Sequence, residues 1–190
     1  MYKAEPDPYC YSNSSVLRNK ADLKSQAALD EFETAMTFAR SEEPLPHGRF
    51  SVNHYKAIHH HIFQDVYSWA GKYRTVRLTK GASTFCYPEH IAREMKKIFT
   101  WLKSEVYLER LSINEFSADA AHLLAELNAV HPFREGNGRT QLTFLALLSA
   151  NAGHPMNLEW LDPNEVLGPM VASFNGDERP LAELLATLQA

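Results

Sequence analysis

Ten consecutive residues, His131 to Thr140 (HPFREGNGRT), place a histidine, a carboxylate, an asparagine and an arginine around two glycines. Glycine takes backbone angles closed to other residues, so Gly136 and Gly138 allow a tight loop that presents successive N–H groups at a helix start, where the macrodipole also favours an anion. Such a loop suits phosphate. Arg139 adds a fork of donors able to pair bidentately with phosphate oxygens. Glu135 offers a hard oxygen ligand for the Mg²⁺ that accompanies nucleotide phosphates. Asn137 can donate through its amide to a phosphoryl oxygen as charge grows there. A histidine, with an ordinary pKa of about 6.5, accepts a proton from a hydroxyl at neutral pH, and His131 stands opposite the loop to do so. The chemistry implied is transfer of a nucleotide's phosphorus centre to an alcohol. The segment is neither a Walker loop, which needs GxxxxGK[ST], nor a dinucleotide fingerprint, which needs GxGxxG after a strand.

The flanking segments predict the elements that hold this loop. Phe116, Ala120, Leu123, Leu124, Leu127 and Val130 recur at helical spacing from about Asn114 until Pro132 stops the helix. After Gly138 the run RTQLTFLALLSANAG is dense in Leu and Phe and ends at Gly153, which predicts a central helix buried on most sides with a glycine C-cap. Upstream, an amphipathic helix is expected from Ala21 to Arg40, and a second one, capped by Ser51, running to Gly71. Arg74 to Thr79 and Thr84 to Tyr87 alternate around the turn-like Lys80-Gly81-Ala82-Ser83, which predicts one β-hairpin. Pro88 opens a further helix with Ile91, Met95, Ile98, Phe99 and Leu102 on one stripe. Asp162-Pro163-Asn164-Glu165 starts another, and Gly176-Asp177 breaks it before a short last one.

The chain has 190 residues, 45% hydrophobic and 22% charged, which fits one mostly helical domain over residues 1–190 with no need of a metal or disulfide staple. Its 19 basic and 23 acidic residues are interspersed and leave a net charge of -4, without the basic stripe that nucleic-acid binding requires. The longest uninterrupted apolar run, Phe144 to Leu148, is far below the roughly 20 residues that cross a bilayer. No nucleic-acid or membrane partner is expected. The 2 cysteines, Cys10 and Cys86, form no CxxC pair and fit a reducing, cytoplasmic setting. His54, His59, His60 and His61 invite a metal reading, but successive helical residues point about 100° apart and no Cys, Asp or Glu lies at a ligand spacing nearby. His59 is expected to be a hydrogen-bonded helix residue, Tyr67 and Trp69 core residues, and Cys86 a small apolar filler.

HPFREGNGRT resembles the core motif of the Fic domain family, HxFx(D/E)GNGRxxR, continuously from His131 to Arg139. The similarity extends to DPYCY and VLRNK near the N-terminus, IHHHIFQDVYSWAGKYR from Ile58 to Arg74, the KGASTF hairpin and the Leu127-Asn128 pair. The resemblance implies an all-α Fic fold, a helical bundle around a central buried helix, with one hairpin flap at about 74–87 beside the motif loop 131–140. It implies transfer of AMP from ATP to a protein hydroxyl, with ATP and Mg²⁺ as cofactors. Carried over, His131 is the general base and Glu135 the metal ligand; Gly136, Asn137, Gly138 and Arg139 hold the phosphates, and Phe133 anchors the loop. The target protein would add a strand to the flap edge. A toxin-like role follows, with restraint either from a small separate antitoxin or absent, because the nearest inhibitory-helix candidate, Ser173 with Asp177-Glu178, has the wrong residues. The alternative is a catalytically silent or altered-donor peptide-binding module. Leu142 stands where the family pattern has its second arginine, the clamp for the terminal phosphate, and is expected to extend the core instead.

Overall fold

The computed structural model describes residues 7–80, 83–157, 161 and 163–188. Seven helices carry the described residues: α1 (Gln26–Ser41), α2 (Val52–Phe63), α3 (Pro88–Ser104), α4 (Ile113–Val130), α5 (Asn137–Ala152), α6 (Pro163–Phe174) and α7 (Arg179–Thr187). This is the all-α fold expected from the sequence. Among the described residues no helix is long and apolar enough to cross a membrane.

Local chemistry sets the helix ends. Ser112 and Glu115 form a reciprocal capping box, each satisfying a first-turn N–H that has no intrahelical partner, so α4 starts at a defined residue. The Ser51 hydroxyl accepts from the His54 N–H and caps α2 as expected. Pro88 occupies the first turn of α3, where its missing N–H costs nothing. Gly153, at φ 86°, closes α5 in the left-handed region. The capping role expected of Asp162 lies outside the described residues.

Three expectations shift. α1 begins at Gln26 and not at Ala21, because the Asn19 side chain accepts from the Leu23 N–H (2.9 Å) and donates to the Leu23 carbonyl (2.7 Å), holding the chain in a turn. α2 ends at Phe63, eight residues before Gly71, and the apolar pattern that continues through Val66, Tyr67 and Trp69 belongs to a buried turn. Among the described residues the hairpin ladder has two pairs, Thr79 with Thr84 and Lys80 with Ser83, between strands β1 (Thr79–Lys80) and β2 (Ser83–Thr84).

The core gathers buried side chains of α2, α3, α4, α5 and α7. α4 buries Phe116, Ala120, Leu123, Leu124, Leu127 and Val130, the stripe read from the sequence. Each fully buried Leu or Phe is worth about 1.5–3 kcal/mol, so the C-terminal end of α4 is a fixed point of the molecule. α5 buries Phe144, Leu145 and Leu148 against its neighbours, and α7 packs on both α4 and α6. The connection from α4 to α5 is therefore held from both sides.

Candidate active site

The loop between α4 and α5 is fixed by bonds to its own backbone and to α2. His131 follows α4 as its C-cap in the left-handed region (φ 48°, ψ 63°), a conformation sparsely populated by non-glycine residues. Phe133 is fully buried, with its ring 3.8 Å from the His59 ring centroid and stacked on Tyr55 at 5.7 Å. The Asn137 amide reaches back to the same residue, accepting from the Phe133 N–H at 2.9 Å and donating to its carbonyl at 2.8 Å. Asn137 thus closes the loop as a side-chain clamp, and one of its two N–H donors is already committed. Gly136, at φ 80°, caps α5; a Cβ there would lie 2.2 Å from the Phe63 ring, so only glycine fits. Gly138 differs from expectation. It is an ordinary first-turn residue of α5, and a Cβ added to it would meet nothing within 4 Å.

α2 supports the loop through His59, which is completely buried. The Gly71 N–H donates to His59 Nδ1 (2.8 Å), which leaves Nε2–H to donate to the Glu135 carbonyl (3.0 Å). Burial lowers its pKa to about 4, the desolvation outweighing the bond to Glu135 and aided by the charge of Arg139. The other histidines use different backbone carbonyls: His54 that of Pro46, His60 that of Ala70 and His61 that of Arg40. Each of the four is a structural tie.

In front of the loop lies a cavity of about 690 Å³, a size that suits a small-molecule ligand. His131, Glu135, Asn137 and Gly138 line its polar end, together with Gln141 one turn along α5. The opposite wall is apolar and comes from α6 and α7, with Val166, Leu167, Met170, Val171, Leu181 and Leu185. Phe85, just past β2, stacks on the His131 ring at 4.0 Å and 16°. The Glu135 carboxylate faces the cavity while accepting from the Gly136 N–H at 3.0 Å. The polar end thus joins a histidine, a carboxylate and a helix N-terminus in one place.

Three sequence-selected residues stand elsewhere. Phe133 and Gly136 support the loop from behind. The Arg139 guanidinium lies over the Phe63 ring (4.6 Å) and pairs with Glu33 of α1, whose other oxygen accepts from the Tyr67 hydroxyl. Leu142 is half-buried and lines the cavity, so it faces the site and does not extend the core. Arg134, inside the motif, pairs with Asp7 and fastens the N-terminal segment to the loop. Sequence reading missed Gln141, although its place one turn from Asn137 on an apolar helix was a usable signal, and it missed the apolar wall, whose residues look like ordinary core.

Comparison with known proteins agrees with this geometry. The family model described as "Fic/DOC family" matches residues 49–149. The chain is 48% identical over 182 residues to a probable protein adenylyltransferase (y4lH) of Sinorhizobium fredii, covering 95% of each protein. It is 36% identical over 187 residues to the protein adenylyltransferase VbhT of Bartonella schoenbuchensis, covering 97% of this chain and 39% of that one. Among solved structures, the N-terminal Fic domain of a putative cell filamentation protein from Bartonella quintana, with bound ADP, superposes with a TM-score of 0.86 at 28% identity, covering 96% of this chain and 94% of that one. Motif, fold and relatives agree: the chain belongs to the Fic/DOC family.

Proposed function

We propose that the protein is a protein adenylyltransferase, an enzyme that transfers the AMP moiety of ATP to a hydroxyl side chain of a target protein and releases pyrophosphate. One observation carries this reading: His131, Glu135 and the N-terminal turn of α5 line one end of a nucleotide-sized cavity whose other end is apolar. The relatives named protein adenylyltransferase, and the ADP held by the Bartonella quintana domain, support it.

In this mechanism the His131 imidazole takes the proton of the target hydroxyl. The oxygen forms a bond to the α-phosphorus, the bond from that phosphorus to the bridging oxygen of the β-phosphate breaks, and pyrophosphate leaves with the electron pair. The N-terminal turn of α5 supplies backbone donors where negative charge gathers, and the open space in front of Gly138 lets a phosphate approach the backbone closely. The residues fit Mg²⁺: one carboxylate, Glu135, faces the space that phosphates would fill, the pattern in which this ion is held by one or two carboxylates and the substrate's own oxygens. Bound there it neutralises phosphate charge. The apolar wall takes the nucleoside. Arg139 serves the phosphates only after leaving Glu33.

The hairpin, with its short two-pair ladder, is the strand edge offered to an extended target segment. A toxin-like role in the cytoplasm fits the free cysteines Cys10 and Cys86. Restraint comes from a separate antitoxin or is absent, since the nearest inhibitory-helix candidate lacks the required residues and its Asp177 and Glu178 pair with Arg179 and His122. Incubating wild type and His131→Ala with α-labelled ATP and a bacterial lysate tests the whole reading. The wild type labels a protein, and the variant is slower by about 10² to 10⁴, the usual worth of a general base. A lysate labelled equally by both removes His131 as the base; no label from either leaves a peptide-binding module.

A further inference from the structure

Arg74 is a buried cation, 2% exposed, whose guanidinium meets backbone carbonyls and no carboxylate among the described residues. Its Nε donates to the His131 carbonyl at 2.8 Å and one terminal nitrogen to the Val130 carbonyl at 3.1 Å. The terminal nitrogens also reach the carbonyls of Val76 and Cys86, both at 2.6 Å, on either side of the hairpin. Its backbone N–H donates to the Pro132 carbonyl at 2.9 Å, and the Cys86 N–H to that of Ala129 at 3.0 Å. Four consecutive carbonyls, 129 to 132, are therefore capped from the base of the hairpin.

The chemistry explains why an arginine stands here. The last carbonyls of a helix have no intrahelical partners and form the negative end of its dipole, so a cation with a planar fork satisfies several at once. Burying that cation costs free energy unless its N–H groups are bonded, and the desolvation lowers its pKa. The arrangement is mutual. Turning His131 out of its left-handed conformation would strip the guanidinium of a carbonyl, and losing the guanidinium would leave the strained backbone of His131 unsupported.

We propose that Arg74 is the positioning residue of the catalytic histidine, locking the His131 backbone to both feet of the hairpin through one buried guanidinium. This rests on His131 being the base. It makes the orientation of the imidazole depend on the hairpin, at whose base Phe85 also stacks on the ring.

The test measures kcat and the KM for ATP in labelled-AMP transfer, with calorimetric ATP affinity and thermal melting, for wild type, Arg74→Lys, Arg74→Met and His131→Ala. Lysine keeps the charge but cannot span both sides of the hairpin and the helix end. Arg74→Lys should lose about 10-fold to 100-fold in kcat, the scale on which small misplacements act, with KM and ATP affinity unchanged, and Arg74→Met should lose more. Loss in His131→Ala alongside full kcat in Arg74→Lys overturns the positioning role alone. Full transfer by His131→Ala overturns the base assignment and the proposal with it. A fall of kcat and ATP binding in step with the folded fraction shows a purely structural arginine and also overturns it. Should both Arg74 variants fail to fold, hydrogen exchange on the unmodified protein decides. The amides of Arg74, Cys86 and His131 should open with one common free energy, and independent opening of the hairpin feet overturns the lock.

Discussion

On one side of the cavity, from His131 to Gly138, polar groups are tied to fixed partners: Asn137 to Phe133, His59 to Glu135, Arg74 to His131. On the other side α6 and α7 offer apolar side chains, with Leu167 and Val171 more than half exposed and a Gly168-Pro169 pair inside α6, where the proline removes one backbone bond. The contrast matches what the proposed reaction would ask of each wall. Phosphorus transfer needs donors and a base held to fractions of an ångström, and hydrogen bonds supply direction. Covering a nucleoside needs only apolar area, which is non-directional and tolerates adjustment. Substitutions of similar size should therefore have very different consequences on the two walls, and within the loop wall they should depend on which face they touch.

The largest effect belongs to Gly136→Ala. The left-handed conformation costs a side chain about 1–2 kcal/mol, and a Cβ 2.2 Å from the buried Phe63 ring adds an overpacking cost of about 1–3 kcal/mol. Chemical denaturation should show a loss of roughly 2–5 kcal/mol with transfer abolished. A stable, active variant would mean that the loop wall is softer than its bonds indicate.

Acid should loosen the same wall. His59 titrates at about 4 in the folded protein against 6.5 in the unfolded chain. As pH falls through that window the unfolded chain takes up a proton that the native state refuses, so stability is complete above about pH 6.5 and declines down to about pH 4. The loss amounts to about 3 kcal/mol. The cause is geometric as well as dielectric, because a proton on Nδ1 would face the Gly71 N–H. Urea titrations at several pH values should show this slope in the wild type and its absence in His59→Gln; equal slopes would assign the acid sensitivity to other groups.

What could be read in the sequence divides along the same line. The loop was legible as a candidate site because its residues are contiguous and the two glycines and the proline punctuate them; the stripe of α4 was legible because burial imposes a helical period. Residues whose roles depend on partners far along the chain were not. Arg74 lies 57 positions from the carbonyl it holds, and Arg139 lies 106 from Glu33, so no local pattern could announce either bond. Leu142 reads as core in a sequence of Leu and Phe, and only the fold shows that it turns to the cavity. The late start of α1 and the early end of α2 have the same origin, since Asn19 and the buried turn at Val66 override the apolar period.

Leu142→Arg probes the junction of the two walls. No lysine or arginine is among the described residues that line the cavity, so a terminal phosphate meets no fixed cation there. An arginine at this half-buried position should add a charged contact worth about 1.5–3 kcal/mol to ATP over ADP, while the site around Asn137 is unaltered. Calorimetry with ATP, ADP and AMP measures it. An equal gain for ATP and ADP would show that position 142 does not reach the terminal phosphate.

The smallest and most discriminating change is Gly138→Ala. Gly138 is two residues from Gly136, yet it has ordinary helical angles and free space where its Cβ would go. Alanine is a better helix former by about 0.5–1 kcal/mol, so the variant should be slightly more stable than the wild type. Its methyl group, however, enters the cavity in front of the first turn of α5, the place assigned to a phosphate. Stability and activity should move in opposite directions, with a small rise in melting temperature, weaker ATP binding and slower transfer. The same glycine-to-alanine change would then destroy the fold's loop at one position and damage only the chemistry two residues later. Unchanged ATP affinity in a stabilised Gly138→Ala would move the phosphates away from the start of α5, and with them the role of the open space beside the backbone.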